Sequence, residues 1–365
     1  MHATLVCSFM TFTRLAKEYE VSMHYTAPDP REFFTVSANK ANLLSFLCDE
    51  WCENDNLKSA LGPTHLYLGG GFKEETRSVV IKERSTEDVP ALESTQQEAD
   101  TRIILHTLYS VQNDDVDRVI IYANDTDIII MCLYYAATHL RGLPELWVRT
   151  EKNVYLPVHQ MVSALGLSQC RSMPFIHSLS GRDTTSYPFY TGKKAWIKAS
   201  MCLDLPALEE FGEIPSDSLS DDVIKQARDL TIAVDLGKLR VYKFLNNRST
   251  LLKLLPPTEQ TFDLHLRRAA LATLIDKSAH IAKPDIPPFM EYGWSLNDGI
   301  ATPLASTEPA WPLTMEKAIS CSCSKGCQKN CSCAKKEIPC YLGCRCQGLE
   351  TRCSRISSTH ESDSE

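Results

Sequence analysis

Two sets of side chains in this chain have the types and spacing to do chemistry. The first is five acids in three groups: Glu98 with Asp100, Asp125 with Asp127, and Asp183. Carboxylates two residues apart repel each other unless a hard cation or a hydrogen-bond network sits between them. An all-oxygen set without histidine suits Mg2+ or Mn2+. Asp125 also suits a helix N-cap, and acids favour a first helical turn, so capping is the alternative for the Asp125-Thr126-Asp127 group. The second set is nine cysteines, Cys321, Cys323, Cys327, Cys331, Cys333, Cys340, Cys344, Cys346 and Cys353, in the order Cys-x-Cys-x3-Cys-x3-Cys-x-Cys-x6-Cys-x3-Cys-x-Cys-x6-Cys. With almost no apolar residues between them, these thiols cannot fold by burial, so a metal must hold them. All-sulfur ligation points to tetrahedral Zn2+. About three structural ions need roughly twelve ligand positions, which nine thiolates supply if three of them bridge two ions each. Two separate four-cysteine sites with one spare thiol, or a disulfide module, are the alternatives.

The acids need elements that bring them to one edge. Val119-Ile120-Ile121-Tyr122 is a short β-branched and aromatic run that reads as a buried strand, and Asp125-Thr126-Asp127 falls where it ends and an apolar helix begins. Ligands of open α/β sheets collect at such carboxyl ends. Ahead of it, Ile103, Ile104, Leu108 and Val111 form an apolar stripe that predicts a helix with Glu98 and Asp100 in its first turn. A strand at 145–149, a hairpin-like 153–157 and a helix at 158–165 follow. The alternation predicts an α/β fold with a parallel sheet. A buried helix ending at Gly181 would deliver Asp183 to the same edge. The hydroxyl-rich turn after it and the pair Lys193-Lys194 read as a phosphate-holding segment, with a solvated lysine pair as the alternative. Gly69-Gly70-Gly71 is followed by Lys73-Glu74-Glu75 rather than a helix with Lys-Ser/Thr, so a plain turn is favoured over a phosphate loop.

These acids carry a resemblance. Glu98-Ala99-Asp100-Thr101-Arg102, Asp125-Thr126-Asp127 and His177-Ser178-Leu179-Ser180-Gly181-Arg182-Asp183-Thr184, followed by Gly192-Lys193-Lys194, resemble a transposon-associated branch of the PIN-like, flap-endonuclease-like nucleases. The similarity spans roughly residues 35–355, including Asn39-Lys40-Ala41-Asn42-Leu43. It implies a PIN-like parallel sheet with flanking helices, with Glu98, Asp100, Asp125, Asp127 and Asp183 as metal-binding acids. It implies His177 and Thr184 as residues of the surrounding motif, and Gly192, Lys193 and Lys194 as a DNA-backbone segment. The implied chemistry is phosphodiester hydrolysis at two Mg2+ or Mn2+ ions about 4 Å apart. Arg182 stands where the branch usually shows Cys, a departure of little expected consequence. The family's first strand, ending in an Asp, has no counterpart in residues 1–40, so the chain reads as a member shortened at its N-terminus.

The cysteine spacing, with its Cys-x-Cys pairs and shared ligands, resembles the tesmin-type CXC DNA-binding domain. Lys325, Lys329, Lys335, Lys336, Arg345, Arg352 and Arg355 make a local basic patch there, suited to phosphate contacts. Tyr341 resembles the residue that CXC domains place near DNA.

The whole chain has 365 residues, a formal net charge of -8, a pI near 5.7 and 43% hydrophobic residues. It has enough apolar content for a real core and is not basic throughout, so nucleic-acid contact must come from local patches. No apolar run of about eighteen residues predicts a membrane span, and 1–7 lacks a signal-peptide pattern. Fifteen cysteines, nine of them clustered, predict an intracellular protein with no disulfide framework. The expected organisation is 1–90, the N-terminal part of the α/β core; 91–200, the nuclease-like core; 201–282, a helical extension; 283–316, a proline-containing linker; 317–355, the zinc module; and 356–365, a disordered tail. Ser220 is the expected N-cap of a helix in the extension. Together these readings predict a nuclear, metal-dependent nuclease-like protein directed to DNA by a CXC zinc module. The alternative is a catalytically inactive, transposon-derived DNA- or chromatin-binding protein.

Overall fold

The computed structural model describes residues 17–25, 29–114, 116–187, 191–214, 218–234 and 258–308, with 321–323, 327–328, 330–336, 340, 344–346 and 353 of the cysteine-rich segment. Tyr341, Lys325, Lys329, Arg352, Arg355 and the 356–365 tail lie outside the described residues.

Among the described residues, apolar alternation and turn residues build three small sheets. Strands β1 (Leu66–Gly69), β2 (Ser78–Ile81) and β3 (Thr86–Asp88) form an antiparallel sheet beside helices α1 (Pro30–Phe34), α2 (Ser37–Glu53) and α3 (Asp55–Leu61). Cys48 of α2 packs with Leu68, Phe72, Val79 and Ile81 in its small core. Buried Asn39 ties the entering chain to α2: its amide donates to Lys17 O and Phe33 O and its Oδ1 accepts from Tyr19 N at 2.8 Å. Asn42 adds a bond to Tyr19 O. Two residues of the Asn39–Leu43 motif are therefore backbone clamps.

The central unit is α4 (Ala99–Asn113), β4 (Arg118–Tyr122), α5 (Thr126–Ala137), β5 (Glu145–Arg149), β6 (Tyr155–Pro157) and α6 (Val158–Leu165). β4 and β5 pair in parallel, with Arg118 opposite Glu145 and Tyr122 opposite Arg149. β6 pairs antiparallel to β5. The expected PIN-like parallel sheet is thus reduced, among the described residues, to one parallel pair in a three-stranded mixed sheet. The reason is local: the link from β5 to β6 turns at Asn153 in the left-handed region (φ 54), too short for the crossover a parallel neighbour needs. α5 is apolar almost all round, and eight of its residues are buried between the sheet and the next helices. Each Ile or Leu fully buried in this way contributes roughly 1.5–3 kcal/mol.

Helix α7 (Leu167–Ser180) lies between two cores, which explains its continuous burial from Ser172 to Ser180. Cys170 and Met173 face the α5 core, while Phe175, Ile176 and Leu179 face a second core. That second core joins α8 (Lys193–Ser200), α9 (Pro206–Glu210), α10 (Asp221–Ala233) and α11 (Glu259–Lys277). Ser220 caps α10 by accepting from Val223 N. The prolines after Lys283 do not leave the described part of 283–316 extended. β7 (Trp294–Asn297) and β8 (Ile300–Pro303) form a hairpin through Asp298 and Gly299, both at positive φ, and Tyr292, Phe289 and Trp294 pack into the second core.

The cysteine-rich segment is a distinct module whose centre is sulfur rather than hydrocarbon. The chain is therefore a mixed α/β protein with small sheets and helices, followed by a cysteine cluster. None of the described helices is long and apolar enough to cross a membrane.

Candidate functional site at the carboxyl end of β4

The acids reach their edge through ordinary local chemistry. Glu98 is the N-cap residue of α4, and Asp100 lies in its first turn. The motif residues between and after them hold the backbone: Thr101 Oγ1 donates to Glu98 O, and Arg102 donates to the carbonyls of Gln96, Ser94 and Glu75. Asp125 caps α5, its Oδ1 accepting from Asp127 N at 2.9 Å. The capping alternative is correct for Asp125, and the cap also fixes where Asp127 sits.

Asp127 is the best-partnered acid of the set. His177 Nε2 donates to its Oδ1 at 2.6 Å, and Arg182 Nη2 to its Oδ2 at 2.8 Å. Burial opposes the charge of Asp127, but the His177 bond, Arg182 and Lys193 together hold its pKa below the usual carboxylate range. The other guanidinium nitrogen of Arg182 donates to Asp276 Oδ2 at 2.6 Å, inside the end of α11. Arg182 is thus central to the edge. The expectation that it matters little is corrected: a thiol in its place could bridge neither carboxylate.

Asp100 shows the opposite environment. Burial, then Asp125, Asp127 and Glu98, push its pKa up to about 6, against the pull of Arg182. Three of the other four expected acids therefore act on Asp100. Asp183 is exposed just past the α7 stop and lies near enough to Lys193 to favour its charge. Gly181 makes that stop at φ +106, where a Cβ would strike Tyr187. Lys193 Nζ is 3.2 Å from His177 Nε2, while Lys194 is exposed. Thr184 has a buried Oγ1 without a partner. Outside the cysteine module, no three described carboxylate or imidazole ligand atoms lie within 4.8 Å of one another. The edge gathers the acids without closing them on one point.

Sequence reasoning missed Asp276, Arg182 and the hydrogen bond of His177. Arg182 and Asp276 are 94 residues apart, so only packing of α7 against α11 joins them. A cleft of about 1110 Å3 lies beside the acids, between α2, the Gly69–Gly71 turn, α4 and β4, sharing Gln97, Ala99 and Arg102 with the start of α4. Gly69 is needed where it stands, since a Cβ there would meet His106 Nε2 at 2.8 Å.

In the cysteine module all nine expected ligands come together. Four sets of four have their sulfurs within 4.8 Å: Cys321, Cys323, Cys327 and Cys331; Cys321, Cys331, Cys333 and Cys340; Cys321, Cys340, Cys344 and Cys346; Cys327, Cys340, Cys346 and Cys353. Individual sulfur separations of 3.4 Å (Cys333 to Cys344), 3.6 Å (Cys321 to Cys327), 3.7 Å (Cys327 to Cys340) and 4.0 Å (Cys331 to Cys340) are non-bonded. A tetrahedron with Zn–S near 2.3 Å sets its sulfurs about 3.8 Å apart. The donor set therefore fits a structural zinc module in which Cys321 and Cys340 are shared. Lys335 and Arg345 are exposed on it, and Lys336 follows Lys335 in a short 3-10 turn.

No family model matches the chain, and no curated protein or solved structure matches it. The resemblance in the motifs therefore rests on those residues alone.

Proposed function

We propose that the chain is a metal-dependent phosphodiester hydrolase acting on DNA, with the β4 edge as its reactive site and the zinc module as a DNA-binding element. The observation that carries the reading is the placement of Glu98, Asp100, Asp125 and Asp127 about the carboxyl end of β4, where burial first and the neighbouring acids second push Asp100 up to about 6. Crowded carboxylates of this kind are relieved by a hard divalent cation. Glu98, Asp100 and Asp125 would hold it, with Asp183 at the rim, because Asp127 is engaged by His177 and Arg182. Bound there, Mg2+ or Mn2+ would supply an acidified water and neutralise charge at a phosphate. The chain's own residues do the rest. His177 and Arg182 fix Asp127, Asp276 fixes Arg182, and Lys193 brings a positive charge toward a phosphate approaching the edge. Lys335 and Arg345 would add phosphate contacts from the zinc module.

A second reading has one specific observation in its favour. Arg182 already neutralises Asp127, so a guanidinium could stand in place of one of two ions and leave a DNA-binding protein without turnover. Cleavage of end-labelled DNA by the zinc-loaded chain separates the two. Strand scission that requires Mn2+ or Mg2+ and disappears in Asp125→Asn supports the hydrolase. Zinc-dependent DNA binding without metal-dependent scission supports the second reading.

A further inference from the structure

The β4–β5–β6 sheet has one face buried and one face open. Ile121, Leu146 and Val148 point into the core, whereas Ile120 and Tyr122 are exposed on the other side, 51% and 60% respectively. A parallel pair is ordinarily covered on both faces, and an open face is ordinarily polar. This one carries Ile120, Tyr122, Trp147 and Tyr155.

One row of this face is specially built. Tyr122, Arg149 and Tyr155 stand opposite one another in consecutive strands, Tyr122 against Arg149 and Arg149 against Tyr155. The Arg149 guanidinium lies between the two rings, 5.5 Å from the Tyr122 centroid and 5.7 Å from the Tyr155 centroid. Asn153 Oδ1 accepts from Arg149 Nη2 at 2.7 Å and fixes it there. Both rings stay open, with Tyr155 46% exposed. Two strand spacings set them about 10 Å apart. The row is also the last of β4, three residues before Asp125, so it borders the acidic edge.

We propose that Tyr122, Arg149 and Tyr155 form a stacking platform for an unpaired nucleic-acid strand, which leads its backbone toward the acids at the end of β4. Two flat rings on an open sheet, with a fixed cation between them, offer unpaired bases a π surface and the adjoining phosphates a positive charge. Paired bases cannot use the platform, because their faces are already covered in the duplex. The platform thus assigns a substrate class, single-stranded or locally opened nucleic acid, to the neighbouring site. It rests on the reading of those acids as a nucleic-acid site, yet stacking needs no catalytic metal, so the two can fail separately.

The test is binding by the full zinc-loaded chain, without added Mg2+ or Mn2+, of a fluorescein-labelled ten-nucleotide dT strand, an rU strand of equal length and a blunt duplex. Replacing both rings, Tyr122→Ala with Tyr155→Ala, is expected to weaken single-strand binding at least about tenfold. Duplex binding should change less than twofold, and Tyr122→Phe with Tyr155→Phe should bind the single strand like the parent. The dT and rU arms show whether the strand is DNA, RNA or either. In the unsubstituted chain, a bromodeoxyuridine strand should photo-crosslink to Tyr122 or Tyr155, which keeps the test independent of any variant's folding. The proposal is overturned if the parent chain does not bind the single strand. It is equally overturned if the alanine pair binds it unchanged or loses duplex binding to the same extent, or if the cross-links fall elsewhere. Absent metal-dependent cleavage alongside intact, tyrosine-dependent strand binding would sink the hydrolase reading and leave the platform standing.

Discussion

Arg182 Nη2 lies 2.8 Å from Asp127 Oδ2, which puts a guanidinium inside the acidic edge at the end of β4. The same group reaches Asp276 on α11, so one side chain ties the edge to the helix behind it. Burial disfavours the charge of Arg182, but Asp276 and Asp127 more than offset that and raise its pKa.

Removing one partner of this arrangement should be costly. The Arg182 and Asp276 side chains are 14% and 3% exposed, so Arg182→Gln leaves Asp276 buried without its counter-charge. Urea unfolding should show a loss of about 3 kcal/mol, in the range for a broken buried pair. Adding Asp276→Asn should recover part of it, because the stranded charge is then gone. Additive losses in the double variant would contradict the coupling.

Asp100 predicts a pH dependence of definite sign. Its carboxyl shifts up, from 3.8 to about 6, so between those values the folded chain binds a proton that the unfolded chain has released. Stability from this group therefore falls as pH rises through about 4 to 6, and the penalty is complete above. Asp100→Asn should be more stable than the parent by roughly 1 kcal/mol at neutral pH, a figure discounted because the group is only half-buried. The difference should vanish below about pH 4. Melting temperatures of both chains across that range would check it.

The shared cysteines predict unequal zinc losses. Cys340 belongs to three of the four-sulfur sets, whereas Cys323 and Cys353 each belong to one. Native mass spectrometry should find about three zinc ions per chain, the number that nine bridging thiolates serve. Cys340→Ser should lose more zinc than Cys323→Ser, and chelation should unfold the module, since no apolar core replaces the metal. Equal losses from the two variants would argue for separate, unshared sites.

Exposed Lys335 and Arg345 predict a salt effect. Each alanine substitution should weaken duplex binding at low salt and reduce the slope of log affinity against log salt by about 1. An unchanged slope would remove these residues from the phosphate contacts.

Much of the local structure could be read from residue order. The Ser220 cap, the Gly181 stop and helix α6 follow from periodicity and capping chemistry, and 119–122 is a strand as expected, but not a buried one: only Ile121 is buried, because no described helix covers the face of Ile120 and Tyr122. The extent of the parallel sheet did not follow: the strand–helix alternation from α4 to β5 holds for one parallel pair, and the tight turn at Asn153 then sends β6 back antiparallel, in keeping with the hairpin-like 153–157. The hairpin at 294–303 was hidden by the prolines around it, from Pro284 to Pro312, although Asp298-Gly299 between apolar runs is a hairpin signal in its own right. The cysteines were legible as a set because thiolate spacing encodes their chemistry directly. The role of Arg182 was not, since its partners come from Asp127 and from a helix 94 residues downstream.

The central claim is that the acidic edge takes up a divalent cation even with Arg182 in place. Calorimetric titration of the zinc-loaded chain with Mn2+ tests it most directly, beside an Asp100→Asn, Asp125→Asn double variant. Saturable Mn2+ binding by the parent chain, lost in the double variant, is the expected result. Binding that is absent from the parent, or equal in both chains, would contradict it and leave the guanidinium as the cation of the site.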